Sequence, residues 1–291
     1  MRVLFVSPLS NLRCGERVYG QIWVEELRKR VVIEEWDACY PSCKERGYLP
    51  YDRLETFDLV HFNWGPANLG HYLPEHLEAI PCPVSIFLHD VPPNSTCLIQ
   101  GCANLKMSFE PMEGSVVLPH SVPPRSSDII VSSTEISVGV TGIRDDPGRL
   151  QVKQVCERNG WRYSPPFEEF VDWTLEVERL ASNTLNVCWY HTSGRGKSMA
   201  AMFCVAARRP LLLSNSSMFS ILQPFVDQWE ICQVPLEVTL DVDYLEEAIQ
   251  KMLDAGAYPF LGGALDQAAE ALGWHRCARR IFQCWEEVAA R

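Results

Sequence analysis

The chain has 291 residues, 47% of them hydrophobic and 22% charged, with 26 Lys+Arg against 37 Asp+Glu and a formal net charge of −11. That length suggests about two domains, and the composition excludes a disordered tail, a collagen-like rod, a small disulfide scaffold and, since no run of ~18 apolar residues occurs, a multi-span membrane protein. The acidic balance disfavours a general coat for duplex DNA, which needs a basic footprint.

In chain order, Arg2–Val6 is a short apolar run ended by Ser7-Pro8, the signature of a buried parallel strand. A loop containing Gly15 follows, then apolar residues at helical spacing over Val18–Arg30. Val31–Asp37 and Phe57–Phe62 read as strands, Leu73–Ile80 as a short helix, and Val84–Leu88 as a fourth strand ended by His89-Asp90. Pro119–Ser133 is rich in Pro and Ser and reads as a linker. A second series begins after it: strand Ile136–Thr141, polar turn Gly142–Gly148, helix Leu150–Asn159, strand Leu185–Tyr190, helix Lys197–Ala207 and strand Pro210–Ser214. Asp243–Leu253, Leu265–Leu272 and Trp274–Ala290 are amphipathic helices. Strands alternating with helices imply parallel α/β sheets, with every strand's carboxyl end on one edge, where ligands bind. The expected organisation is two similar α/β domains, 1–130 and 131–274, facing across a cleft, with a terminal helix at 275–291.

The twelve cysteines include Cys188 and Cys204 inside apolar runs, where a free thiol acts as a small hydrophobe. No pair is spaced as CxxC. Zinc ligation by Cys39, Cys43, Cys97 and Cys102 is an outside reading, and no metal site is expected. The amino-terminal run turns polar too soon for a signal peptide, so a reducing cytoplasm is the expectation. No basic amphipathic helix suggests membrane docking, and no membrane insertion is expected.

The segment richest in chemistry is Asn186–Ser198, which passes from strand through a glycine-rich loop to a helix. Exposed backbone N–H groups and the helix dipole favour an anion there, and Ser193, Gly194, Gly196, Lys197 and Ser198 are its candidate binders. A P-loop would need a glycine where His191 stands. Thr141–Arg149 also links a strand to a helix, and Arg144 and Arg149, beside Gly142, suit a diphosphate clamp. Ten of the 26 basic residues fall between Gly142 and Arg209. Arg195, Arg208 and Arg209 suggest a compact basic rim around this loop. In the first half, His89 and Asp90 end a strand and suit substrate hydroxyl binding or proton abstraction. Asn63, Trp64 and Asn68 offer a ring and amides to a sugar or base. Gly15 permits close approach of a ligand, with Glu16 beside it.

Together these residues resemble the two-domain GT-B glycosyltransferases, most closely the family 4-like group. The strand, glycine loop and helix of Val3–Arg30, the strand ending at His89-Asp90 and the Gly/Arg loop of Val138–Arg149 carry the likeness. Ser193–Ser214 and a terminal helix returning to the first domain complete it. The pair of glutamates eight apart that the family carries around the second loop is absent between Tyr190 and Asn215. The resemblance implies two Rossmann-like domains and transfer of a hexosyl or pentosyl group from a nucleotide-sugar donor to an acceptor hydroxyl, with no obligatory cofactor or divalent metal. It places the donor on Gly15, Gly142, Arg144, Arg149, Ser193, Gly194, Gly196, Lys197 and Ser198. The acceptor would lie by Asn63, Trp64 and Asn68, with Asp90, His89 or Glu16 as catalytic groups. The acceptor class stays open: a small molecule, a lipid head group, a protein or a hydroxymethylated DNA base. A non-catalytic degenerate GT-B protein and a P-loop-like NTPase or kinase are the alternatives.

Overall fold

The computed structural model describes residues 1–10, 15–40, 42–65, 69–89, 98–125, 135–141, 148–167, 172–190, 198–227, 229–238, 241–254 and 263–291. They divide into two compact units, Met1–Ser121 with Trp274–Arg291, and Val122–Gly273.

The first unit is built on strands β1 (Arg2–Ser7), β2 (Val32–Asp37), β3 (Leu59–Trp64), β4 (Val84–Leu88), β5 (Leu105–Ser108) and β6 (Ser115–Val117), with helices α1 (Gly15–Leu27), α2 (Ser42–Arg46) and α3 (Pro74–Glu78) between them. The strands form one sheet in the order β2-β1-β3-β4-β5-β6, every pair parallel. β3 and β4 are buried at every position, because a parallel sheet is covered on both faces. Leu4, Val6, Val60, Phe62, Ile86 and Leu88 share one core cluster with Leu54, Tyr72 and Leu77. The opposite face carries Phe5, His61 and Ser85, which are register neighbours.

The second unit has β7 (Ser137–Val140), α4 (Gly148–Asn159), β8 (Arg162–Ser164), α5 (Trp173–Ala181), β9 (Leu185–Cys188), α6 (Met199–Ala207), β10 (Leu211–Ser214), β11 (Ile231–Val234), α7 (Val242–Asp254) and α8 (Ala264–Ala271). Its parallel sheet runs β11-β10-β9-β7-β8. Val138, Val140, Val187 and Leu212 pack with Val152, Val155, Leu245 and Ile249 of α4 and α7.

The last helix, α9 (Trp274–Ala289), belongs to the first unit. Trp285 Nε1 donates to Ser85 Oγ at 3.0 Å, and its ring meets Phe5 and His61. α9 therefore lies on the Phe5–His61–Ser85 face. α1 lies on that face too, because Gly20 rests against Phe5, Ser7 and Asn63.

The expected strands are present, with ends displaced by at most two residues. The β9 ladder stops at Cys188 rather than Tyr190, because the Tyr190 N–H donates to Ser214 Oγ at 3.0 Å instead of continuing it. Four strands that the sequence reading did not propose, β5, β6, β8 and β11, are three or four residues long. Pairing with a neighbour defines them, not periodicity.

Candidate sites at two switch points

In each sheet the strand order reverses once. In the second unit, β7 lies between β8 and β9; in the first, β1 lies between β2 and β3. Chains leaving the carboxyl ends of the strands flanking such a point diverge, and the gap admits a ligand.

In the second unit the reversal falls between β7 and β9, which pair Val138 with Leu185 and Val140 with Val187. The residues bracketing the two loops of interest, Thr141 with Gly148 and Tyr190 with Ser198, stand at the ends of these adjacent strands and at the starts of α4 and α6. Gly142, Arg144, Ser193, Gly194, Gly196 and Lys197 lie outside the described residues. Arg149 is the second residue of α4 and is buried. Burial raises the Tyr163 phenol, and the Arg149 and Arg179 guanidiniums oppose that shift. Ser198 is buried and its hydroxyl caps α6, accepting from the Ala201 N–H at 3.2 Å. The hydroxyl also meets Tyr190 Oη at 3.3 Å, so its first role is to fix where α6 begins.

Arg179, which no sequence motif marks, stands at the same edge. Its guanidinium donates to both Glu176 oxygens at 2.8 and 2.6 Å, to Val140 O at 2.8 Å and to Ser164 O at 3.0 Å. It thereby braces the carboxyl ends of β7 and β8. The available signal was α5 itself, with Asp172 capping the Thr174 N–H at 2.9 Å and Trp173, Val177 and Leu180 buried at helical spacing. Tyr190 stacks on Phe219 with centroids 5.3 Å apart, adding an aromatic wall at the β9 end.

The proposed basic rim is not assembled from the residues expected. Arg208 and Arg209 follow the carboxyl end of α6, on the sheet edge opposite Ser198. A nine-residue helix spans ~13 Å. Arg208 is engaged with Asp266 and Leu265 O at 2.6 Å each, and Arg209 Nε donates to Ala181 O at 2.8 Å. Arg195 lies outside the described residues.

In the first unit the reversal falls between β1 and β3. Gly15 opens α1, and nothing described lies within 4 Å of where its Cβ would stand. The Glu16 carboxylate lies directly over Gly65, where an added Cβ would sit 1.6 Å from Oε1. Glycine at 65, just past β3, thus makes room for the acid.

The Asn63 amide is fully engaged. Nδ2 donates to Glu16 O at 2.6 Å and Ser7 Oγ at 3.1 Å, and Oδ1 accepts from His89 Nε2 at 2.6 Å. His89 stacks on Trp23 and Tyr19. Burial holds its pKa down to about 3. His89 is therefore a neutral structural donor at neutral pH, not the proton acceptor expected at this strand end. Trp64 is 5% exposed, packs in the core and donates its indole N–H to Leu69 O at 3.0 Å. It offers no open ring face, and Asn63 offers no spare amide. Asp90 and Asn68 lie outside the described residues. Glu16 is the described carboxylate at this switch point.

Among the described residues no group of three His, Cys, Asp or Glu is placed to hold a metal ion. Cys43 Sγ meets His71 Nε2 at 3.1 Å, and Cys97 lies outside the described residues.

No protein-family model and no curated protein matches the sequence. Solved structures match along the whole chain. The Anabaena protein HepE, in complex with UDP and glucose, is 13% identical with a TM-score of 0.61, over 99% of this chain and 100% of that one. The sucrose-phosphate synthase of Thermosynechococcus elongatus is 12% identical with a TM-score of 0.62, over 100% and 99%. A glycosyltransferase from Rickettsia africae is 11% identical with a TM-score of 0.59, over 99% and 98%.

The chain has the GT-B fold. Its two switch points correspond to the two α/β units of that fold, each of which the sequence had announced through a strand, a loop and a helix.

Proposed function

We propose that this protein is a glycosyltransferase that moves a sugar from a nucleoside diphosphate sugar to an acceptor hydroxyl. The observation that carries the reading is the second switch point. Two anion-suited loops, 142–147 and 191–197, leave the carboxyl ends of adjacent strands β7 and β9 and lead into the starts of α4 and α6. Peptide dipoles and free N–H groups at helix starts favour a diphosphate. Arg144, Arg149 and Lys197 supply charge-assisted donors, and Gly142, Gly194 and Gly196 keep the backbone open to it. HepE, a structural neighbour, holds UDP-glucose, which makes that compound the first donor to test.

In this reading the diphosphate is the leaving group. Breaking the bond from the anomeric carbon to its oxygen builds negative charge on the departing nucleoside diphosphate. Cations and helix starts at the diphosphate would stabilise that charge in the transition state more than in the bound donor. This role needs no divalent ion, so turnover is expected to persist in EDTA.

The acceptor side is assigned to the first unit, around Gly15 and Glu16 at the start of α1. If the anomeric configuration inverts, the acceptor hydroxyl must lose its proton to a carboxylate, and Glu16 takes that role. If configuration is retained, Glu16 only positions the hydroxyl.

The test is transfer or hydrolysis of UDP-glucose, read as released UDP, with the anomeric configuration of the product. Release in EDTA by the wild type, abolished in Lys197→Ala, supports the proposal. No release from any nucleotide sugar, in a protein that still binds UDP, identifies a non-catalytic GT-B protein.

A further inference from the structure

We propose that the outer surface of α1 and α9 docks on an anionic lipid bilayer.

The turn that ends α1, Arg28-Lys29-Arg30, and the first half of α9, Trp274–Arg280, are at opposite ends of the sequence but join in space. Lys29 Nζ stands over the Trp274 ring at 5.2 Å, and the Arg30 guanidinium over the Phe282 ring at 5.7 Å. These ten residues hold Arg28, Lys29, Arg30, Arg276, Arg279 and Arg280, and no Asp or Glu. All six are exposed. Glu35 pairs with Arg28 and Glu26 with Lys29, each at 2.5 Å. On a protein of charge −11, such a concentration is a strong local departure.

The charge order along α9 is the reverse of what its own dipole favours. Cations are stabilising at a helix carboxyl end and acids at its start. α9 has no acid in its first turn and no base in its last. His275, Arg276, Arg279 and Arg280 crowd the start, while Glu286 and Glu287 stand near the end. Helix stability does not account for this arrangement.

The shape selects a planar partner. α1 and α9 lie side by side on one face of the six-stranded sheet, and the apolar stripe of α9 (Cys277, Ile281, Cys284, Trp285 and Val288) is buried beneath it. The outward sides form a layer, not a groove. Half-buried Trp274 and Phe282 lie beneath the cations, and the amphipathic indole of Trp274 suits the head-group level. Each Lys or Arg held at an anionic surface contributes roughly fivefold to partitioning, with attraction confined to about a Debye length. The acidic remainder of the protein is screened beyond that distance. The docking is peripheral, since no described helix is long and apolar enough to cross a membrane.

The experiment is co-sedimentation with phosphatidylcholine vesicles, with and without phosphatidylglycerol, over a salt series. The expected result is binding only to the anionic vesicles, weakening as salt rises. Arg276→Gln/Arg279→Gln/Arg280→Gln should lose about a hundredfold in partitioning. Arg158→Gln, an exposed cation on α4 in the other unit, should lose none. Circular dichroism checks that each variant is folded. Equal binding to neutral and anionic vesicles overturns the proposal, as does a folded triple variant that partitions like the wild type. Binding to a duplex oligonucleotide but not to anionic vesicles at the same salt also overturns it.

Discussion

Two buried histidines with depressed pKa values should make this protein acid-labile in a defined way. His61 and His89 occupy the interior of the first unit, and burial depresses each pKa from 6.5 to about 3, His89 adding to the effect on His61. In the unfolded chain both titrate near the ordinary value. Between pH 3 and 6.5 the unfolded state therefore binds more protons, and stability falls as pH falls. Each histidine contributes a slope of about 1.4 kcal/mol per pH unit across that window. From pH 6.5 to pH 5 the two together remove about 3 kcal/mol, a large part of a typical stability of ~5–15 kcal/mol. Urea unfolding at a series of pH values reads the slope. His61→Gln and His89→Gln, taken singly, should each remove about one proton's worth of it. A slope unchanged by both substitutions would refute the assignment of acid lability to these two residues.

Trp285→Phe should lower the melting temperature. It deletes the indole N–H bond to Ser85 and leaves a small void, a loss of about 2–3 kcal/mol. At ~2–4 °C per kcal/mol, calorimetry should show a fall of several degrees, and an unchanged Tm would contradict the anchoring role. Gly65→Ala places a methyl where the Glu16 carboxylate now lies and must displace it. In an inverting reaction, Gly65→Ala and Glu16→Gln should lower kcat similarly, by about 10²–10⁴, with donor affinity kept. Full activity in a folded Gly65→Ala would remove Glu16 from the chemistry.

What was legible in the sequence followed how each feature is encoded. Apolar runs such as those ended by Ser7-Pro8 and His89-Asp90 announced buried parallel strands, and their alternation with helices announced the fold. Edge strands such as Arg162–Ser164 carry mixed residues, because only one side finds a neighbour, and they were invisible. Residue type also misled at strand ends. Trp64 and His89 look like ligand contacts by position, but their side chains point into packed interior, and exposure is a tertiary property. Arg208 and Arg209 follow the Gly194–Ser198 loop closely in sequence, yet a helix carries them to the opposite edge. The α1–α9 surface escaped notice because its two halves are separated by almost the whole chain.

The central claim is that the β7–β9 switch point holds a nucleoside diphosphate. Isothermal calorimetry with UDP, in EDTA, tests it most directly. The account predicts measurable metal-independent binding, weakened about 10–100-fold in Lys197→Ala and in Arg149→Gln, the worth of one charge-assisted contact each. Absence of binding by any nucleoside diphosphate, or variants that bind as tightly as the wild type, would contradict it.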